Sequence, residues 1–206
     1  MAEVEQTQQR QQQHEVDLRE HKRRQRTARR QRNRDNHNHN HTSSSNRCWD
    51  WMLVNGTSHY AKNRSMFSSY CRAPCQIGLT RVLGVGTVNL ETVRGPDDPR
   101  PYTLELENVL HIPEAVCNGI SIDKLVRERD LDLDVLEKED GRCCLCCKQT
   151  GESVFYGASH CGVQRLVLAG NPQGESYLRD GVEYMLDVYA GENQLQELER
   201  RVASKI

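Results

Sequence analysis

The sequence predicts a mainly β protein with one short internal helix, helices at its C-terminal end and a disordered arm in front. Three observations lead there. Apolar residues are nearly confined to the chain after Trp49; several segments beyond it alternate apolar and polar residues at period two; and Gly, Asn, Pro and Asp dipeptides punctuate those segments as turns do.

The arm comes first. Residues Met1 to Asn46 are Gln-rich from Gln6 to Gln13, basic from Lys22 to Arg34, and alternate Asn with His from Asn36 to His41. So few apolar side chains cannot offset the entropy of ordering a chain, which predicts disorder over 1–46. A folded domain is expected over 47–170 and a helical tail over 171–206.

Trp51 to Val54 is a short apolar run stopped by Asn55-Gly56, a strong turn dipeptide. Val82 to Leu90 is rich in β-branched residues but interrupted by Gly84 and Gly86, the pattern of a bulged or mobile hairpin strand. In Tyr102 to Leu110 the residues Tyr102, Leu104 and Leu106 alternate with Thr103, Glu105 and Glu107, so one face is buried and the other wet. Ile122, Leu125 and Val126 fall at helical spacing within Ser121 to Asp130, with Ser121 placed as a cap. Leu131, Leu133 and Val135 return to period two. Asp140-Gly141 then turns into a strand over Arg142 to Lys148, Thr150-Gly151 turns into Ser153 to Tyr156, and Val163 to Ala169 reads as a last strand. Beyond Asn171-Pro172 the pattern reads as helical, with Leu195, Leu198 and Val202 in a narrow stripe that packs on the domain or on a partner.

Charge is unevenly spread. The formal net charge is -1, yet Lys22, Arg23, Arg24, Arg26, Arg29, Arg30, Arg32 and Arg34 form a run without an acid. Such a run suits sequence-independent, salt-sensitive binding of nucleic acid by counterion release, or nuclear targeting; a solvated tail is the plain alternative. No aromatic residues are interleaved with it, so base stacking is not offered. The start has no apolar signal core and no apolar run approaches a membrane span of about 20 residues. The expectation is an intracellular protein, cytoplasmic or nuclear, with no membrane contact.

Nine cysteines include Cys143-Cys144-Leu145-Cys146-Cys147. Cys143 and Cys146 have C-x-x-C spacing, and His160 and Cys161 follow as further zinc-ligand candidates. A strand would put Cys143 and Cys146 on opposite faces, so packed, reduced thiols are expected and no metal. His37, His39 and His41 are read as solvated filler, and no cofactor is implied.

The segment Trp51-Met52-Leu53-Val54-Asn55-Gly56-Thr57-Ser58-His59 resembles the active-site segment of the protease and adjoining β-barrel region of Copia-type retrotransposon polyproteins, roughly Trp-x-Leu-Asp-Ser-Gly-Ala-Ser followed by His. Further pieces follow in the family's order: Arg64 to Tyr70, Val82 to Val88 as a Gly-x-Gly-Thr-Val hairpin, Glu107 to Pro113 as an Asn-Val-Leu-x-x-Pro segment, and Asn118 to Leu125 as a helix start. The resemblance covers roughly Trp49 to Ala169. It implies a retropepsin-like or closed β-barrel and, for the family, peptide hydrolysis by a homodimer in which each chain supplies one Asp. Paired carboxylates share a proton, so that one serves as base on a water and the other as acid.

Carried over, that Asp falls on Val54, its hydroxyl neighbour falls on Asn55, and only Gly56 keeps the family identity. Valine can neither take a proton nor hold a water, so the expectation is no enzyme and no catalytic residue among Val54, Asn55 and Gly56. Asp50 is a poor substitute, because Trp51 and Met52 follow it without the small residue and glycine that expose a carboxylate at a turn. His59 is expected to serve as a structural hydrogen-bonding group. The expected function is a non-catalytic, retrotransposon-derived interaction or vestigial module. A residual or complemented aspartic endopeptidase and nucleic-acid binding through the arm are the rivals. A second copy of the chain and nucleic acid are the candidate partners.

Overall fold

The computed structural model describes residues 47–129, 133–137, 142–147 and 149–205. The basic run from Lys22 to Arg34, Asp130-Leu131 and the Asp140-Gly141 turn lie outside the described residues.

The protein is mainly β. Ten strands form one sheet that curls into a half-barrel. In chain order they are β1 (Trp51–Val54), β2 (Tyr60–Ala61), β3 (Phe67–Cys71), β6 (Gly84–Val93), β7 (Pro101–His111), β8 (Asn118–Ser121), β9 (Leu133–Glu137), β10 (Cys143–Cys147), β11 (Ser153–His160) and β12 (Val163–Leu166). A separate hairpin pairs β4 (Cys75–Ile77) with β5 (Thr80–Val82), and two helices, α1 (Ile122–Arg129) and α2 (Glu192–Ala203), complete the elements. Across the sheet the order is β3-β6-β7-β2-β8-β1-β12-β11-β10-β9.

The middle of the sheet explains why β1 reads as a continuous apolar run. It lies parallel to β8, with Trp51 opposite Asn118 and Val54 opposite Ser121, and antiparallel to β12 on its other side. Both faces are covered, as for buried parallel strands generally. Trp51 enters one core with Val88, Leu90, Leu104, Leu106, Ile120 and Phe155. Met52 and Val54 enter a second core with Tyr60, Leu110, Leu186 and Leu198. The pleat sends successive residues to opposite sides.

The β6–β7 hairpin carries the predicted irregularity. Its register shifts between Gly86 and Val88, and across from it Asn108 has φ 50°. A side chain at position 86 would meet the Ser69 carbonyl at 2.0 Å, so only glycine lets β3 close on β6 there. The bulge also ends the strict alternation of β7, leaving both Val109 and Leu110 buried.

Ser121 caps α1, its hydroxyl accepting the Lys124 amide at 3.0 Å. The C-terminal end differs from its predicted form. Only α2 is helical, while residues 171–191 carry no regular secondary structure and run as a strap over the second core. Within the strap, Tyr184, Leu186, Val188 and Ala190 pack on the core, while Glu183, Met185 and Tyr189 between and beside them are exposed. That is a period-two pattern, and the helical reading of this stretch missed it. No helix among the described residues is long and apolar enough to cross a membrane.

Candidate functional site

The Asn55–His59 turn joins β1 to β2 at the centre of the sheet, and the strap seals it. Val54 is buried, 4% exposed, in the core it shares with Leu186. The Asn55 amide donates to Asp187 Oδ1 at 2.9 Å. The Thr57 amide donates to the Val188 carbonyl at 2.9 Å. The Thr57 hydroxyl accepts the Ala190 amide at 2.7 Å and donates to the Ala190 carbonyl at 3.1 Å. At Gly56 a β-carbon would meet the Val188 carbonyl oxygen at 2.5 Å and its nitrogen at 2.6 Å. The glycine is therefore required by the approach of the strap's own backbone.

Under the strap, Tyr60 and Cys117 are buried beside each other, 3.9 Å apart from hydroxyl to sulfur. Tyr60 is buried and donates its hydroxyl to the Leu186 carbonyl at 2.7 Å. Burial, with Cys117 beside it, pushes the phenol well above its ordinary range. Burial likewise pushes the Cys117 thiol up to about 12, against the lowering effect of its contact with Tyr60.

His59 is fully buried and ties three elements together. Its Nδ1 accepts the Ser121 amide at 3.0 Å, its carbonyl accepts the Leu110 amide at 2.9 Å, and its Nε2 lies 3.7 Å from Glu128 Oε2. Nδ1 as acceptor places the ring proton on Nε2, facing Glu128. Burial raises the Glu128 pKa, but the His59 and Lys124 bonds outweigh it and hold the carboxyl below its ordinary value. The Ser121 hydroxyl also donates to the Gly56 carbonyl, fixing the turn from below.

Asp50, the other acid considered, sits at the opposite end of β1. It is 5% exposed, and one of its oxygens accepts from Arg165 at 3.1 Å. Strap carboxylates come closer. Asp187 and Glu183 line a groove with Val54 and Asn55, and Asp187 is engaged by the Asn55 amide and, at 3.3 Å, by Tyr189. The structure thus brings the Val54–Gly56 positions together with Asp187, Val188 and Ala190, which the sequence reading did not single out. Their signal was the alternation of Leu186, Val188 and Ala190 with Asp187 and Tyr189.

The cysteine cluster forms β10. Cys143, Cys144 and Leu145 are buried, and the Cys143 thiol lies 3.6 Å from Gln164 Oε1. Among the described residues no group of three or more His, Cys, Asp or Glu side chains is placed to hold a metal.

Fold and site together define a curled half-barrel in which a central strand-turn is closed by the chain's own C-terminal strap. Residues 51–130, from β1 through α1, match the sequence model of the Pol polyprotein, beta-barrel domain. The match supports a domain derived from a retroelement Pol polyprotein, and β9 to β12, the strap and α2 lie beyond it. No curated protein and no solved structure matches the chain.

Proposed function

We propose that this is a non-catalytic, Copia-type, retropepsin-like domain that serves as an interaction module. One observation carries the reading. Val54, which stands where the family resemblance puts the catalytic Asp, is a core residue beneath a strap whose backbone abuts Gly56. Acid-base catalysis on a peptide needs a carboxylate within reach of a water and of the scissile carbonyl. The buried isopropyl group offers no proton acceptor. The outward face of the strap favours contact over catalysis, since Met185 is 95% exposed and Tyr189 63%. Self-association through the barrel is the first interaction to test.

A peptide-library cleavage assay on the full chain tests the reading, run beside Val54→Asp from acidic to neutral pH. No cleavage by the natural chain is expected. Val54→Asp is expected to stay inactive as well, because the strap still closes the turn and a carboxylate buried there favours its protonated form. Cleavage by the natural chain that an aspartic-protease inhibitor blocks would overturn the proposal in favour of an endopeptidase.

The run of eight basic residues from Lys22 to Arg34 supports a second, compatible reading, in which the arm binds nucleic acid without sequence preference.

A further inference from the structure

A groove of about 620 Å³ opens where the end of β1 meets the strap, between Leu53, Val54 and Asn55 on one side and Glu183, Met185 and Asp187 on the other. Its strap wall is acidic. Residues 171–192 hold five acids, Glu175, Asp180, Glu183, Asp187 and Glu192, against one base, Arg179. Asp180, Glu183 and Glu192 are exposed, and no cation among the described residues forms an ion pair with any of the five.

The chain ahead of the described residues carries the complementary charge, and it joins the domain at the strap. Arg47, the first described residue, accepts the Glu175 amide on its carbonyl at 3.1 Å, and at Gly174 a β-carbon would meet that carbonyl oxygen at 1.9 Å. Everything N-terminal to Arg47 is thus tethered beside the acids. The linker Asp35 to Asn46 reaches up to about 40 Å, whereas the strap from Glu175 to Glu183 spans at most about 29 Å even fully extended. A tether of that length gives an effective concentration on the order of millimolar, so weak ion pairs suffice to hold what it carries.

We propose that the basic run Lys22 to Arg34 folds back into this groove, with its guanidinium groups on Glu183 and Asp187. Seven of its eight cations are Arg, whose planar fork suits carboxylates, and the exposed Tyr189 ring beside Asp187 is a stacking surface for the same group. Asp187 already accepts from Asn55 and Tyr189, but a carboxylate has about four acceptor positions. The Arg methylene stems cover Leu53 and Met185 in the same groove. Because the same cations carry phosphate in the nucleic-acid reading of the arm, fold-back weakens that binding; the fold-back contact itself stands without it.

Amide-resolved NMR of the full chain tests the contact, comparing the natural sequence with a variant in which all eight basic residues from Lys22 to Arg34 are replaced by Gln. Shift differences are expected at residues 180–189 and at Asn55, unchanged on dilution, and raising salt from 50 to 500 mM should carry the natural spectrum toward that of the variant. Asp180→Asn with Glu183→Gln removes two exposed charges and no bond to the Asn55–His59 turn. Measured against the same pair of substitutions with the neutral arm, it should cut the arm-dependent shifts at Asn55 and Tyr189 at least twofold. It should also tighten binding of a mixed-sequence oligonucleotide by about twofold. Absence of arm-dependent shifts at residues 180–189 overturns the proposal, as do shifts that grow with protein concentration or that fall instead on the other acidic face, Glu91, Glu105 and Glu107 of the β6–β7 hairpin. Arm-dependent strap shifts without oligonucleotide binding would uphold the fold-back contact and overturn the nucleic-acid reading of the arm.

Discussion

At the scale of single residues, His111 shows how burial makes a titratable group matter. It ends β7 at 7% exposure, with the Tyr70 hydroxyl 2.9 Å from its Nδ1 and the Phe67 ring 5.6 Å away. Burial, with a smaller contribution from the Arg64 charge, lowers its pKa below the ordinary value. The unfolded chain therefore binds more protons than the folded one at pH values between the folded pKa and the unfolded pKa of about 6.5, so stability rises with pH across that window. His111's contribution is complete above about pH 6.5 and is lost progressively as pH falls toward the folded pKa. Urea unfolding at pH 7.5, 6.5 and 5.5 is expected to show this loss, with a slope of at most about 1.4 kcal/mol per pH unit from this one group. In His111→Gln that part of the slope should disappear. An unchanged slope in the variant would assign the acid sensitivity to other groups.

At the scale of elements, the strap is the part of the fold most tightly specified by one residue. Gly56 lets the Val188 backbone approach to a distance no β-carbon tolerates, and Thr57 then pairs both ways with Ala190. Gly56→Ala must push the strap away or distort the turn, a cost of about 2 kcal/mol or more by analogy with overpacked cores. Faster amide exchange over residues 186–190, with exchange at Trp51 and Ile120 unchanged, is the expected outcome. Equal acceleration at both would mean that the strap and sheet open together. The strands β1, β6, β7 and β10, the Ser121 cap and the bulge at Gly86 were legible in the sequence, because each rests on local periodicity or on a local backbone requirement. The strap was not. Its alternation is clear only once Leu186 and Ala190 are known to face a core, and the charged residues nearby fit a helix stripe equally well. The two-residue β2 was illegible for a related reason, since Tyr60 and Ala61 are held by pairing with β7 and β8, far along the chain. The site divided in the same way. Val54 could be singled out from one segment, whereas what covers it lies far downstream, as the Asn55–Asp187 bond with its separation of 132 residues shows.

At the scale of the whole molecule, charge is segregated between the arm and the rest of the chain. Eight basic residues fall within Lys22 to Arg34 without an acid, while the formal net charge of the chain is -1, so acidic groups elsewhere balance them. Among the described cations, Arg165 pairs with Asp50, Arg94 with Glu152, Lys124 with Glu128 and Arg201 with Glu197, while Arg64, Arg72 and Arg81 pair with no carboxylate among the described residues. The arm holds the densest run of positive charge in the chain and is the segment expected to carry nucleic-acid binding. Each phosphate neutralised releases condensed counterions, so log affinity should fall linearly with log salt, by roughly 0.7 per contact on a single strand and 0.9 on a duplex. Fluorescence anisotropy with a labelled oligonucleotide of mixed sequence, from 50 to 300 mM salt, measures that slope directly. Deleting Lys22 to Arg34 is expected to abolish both affinity and slope, while scrambling the oligonucleotide sequence should change neither. Binding that survives the deletion with its slope intact would move the contact from the arm to the barrel surface.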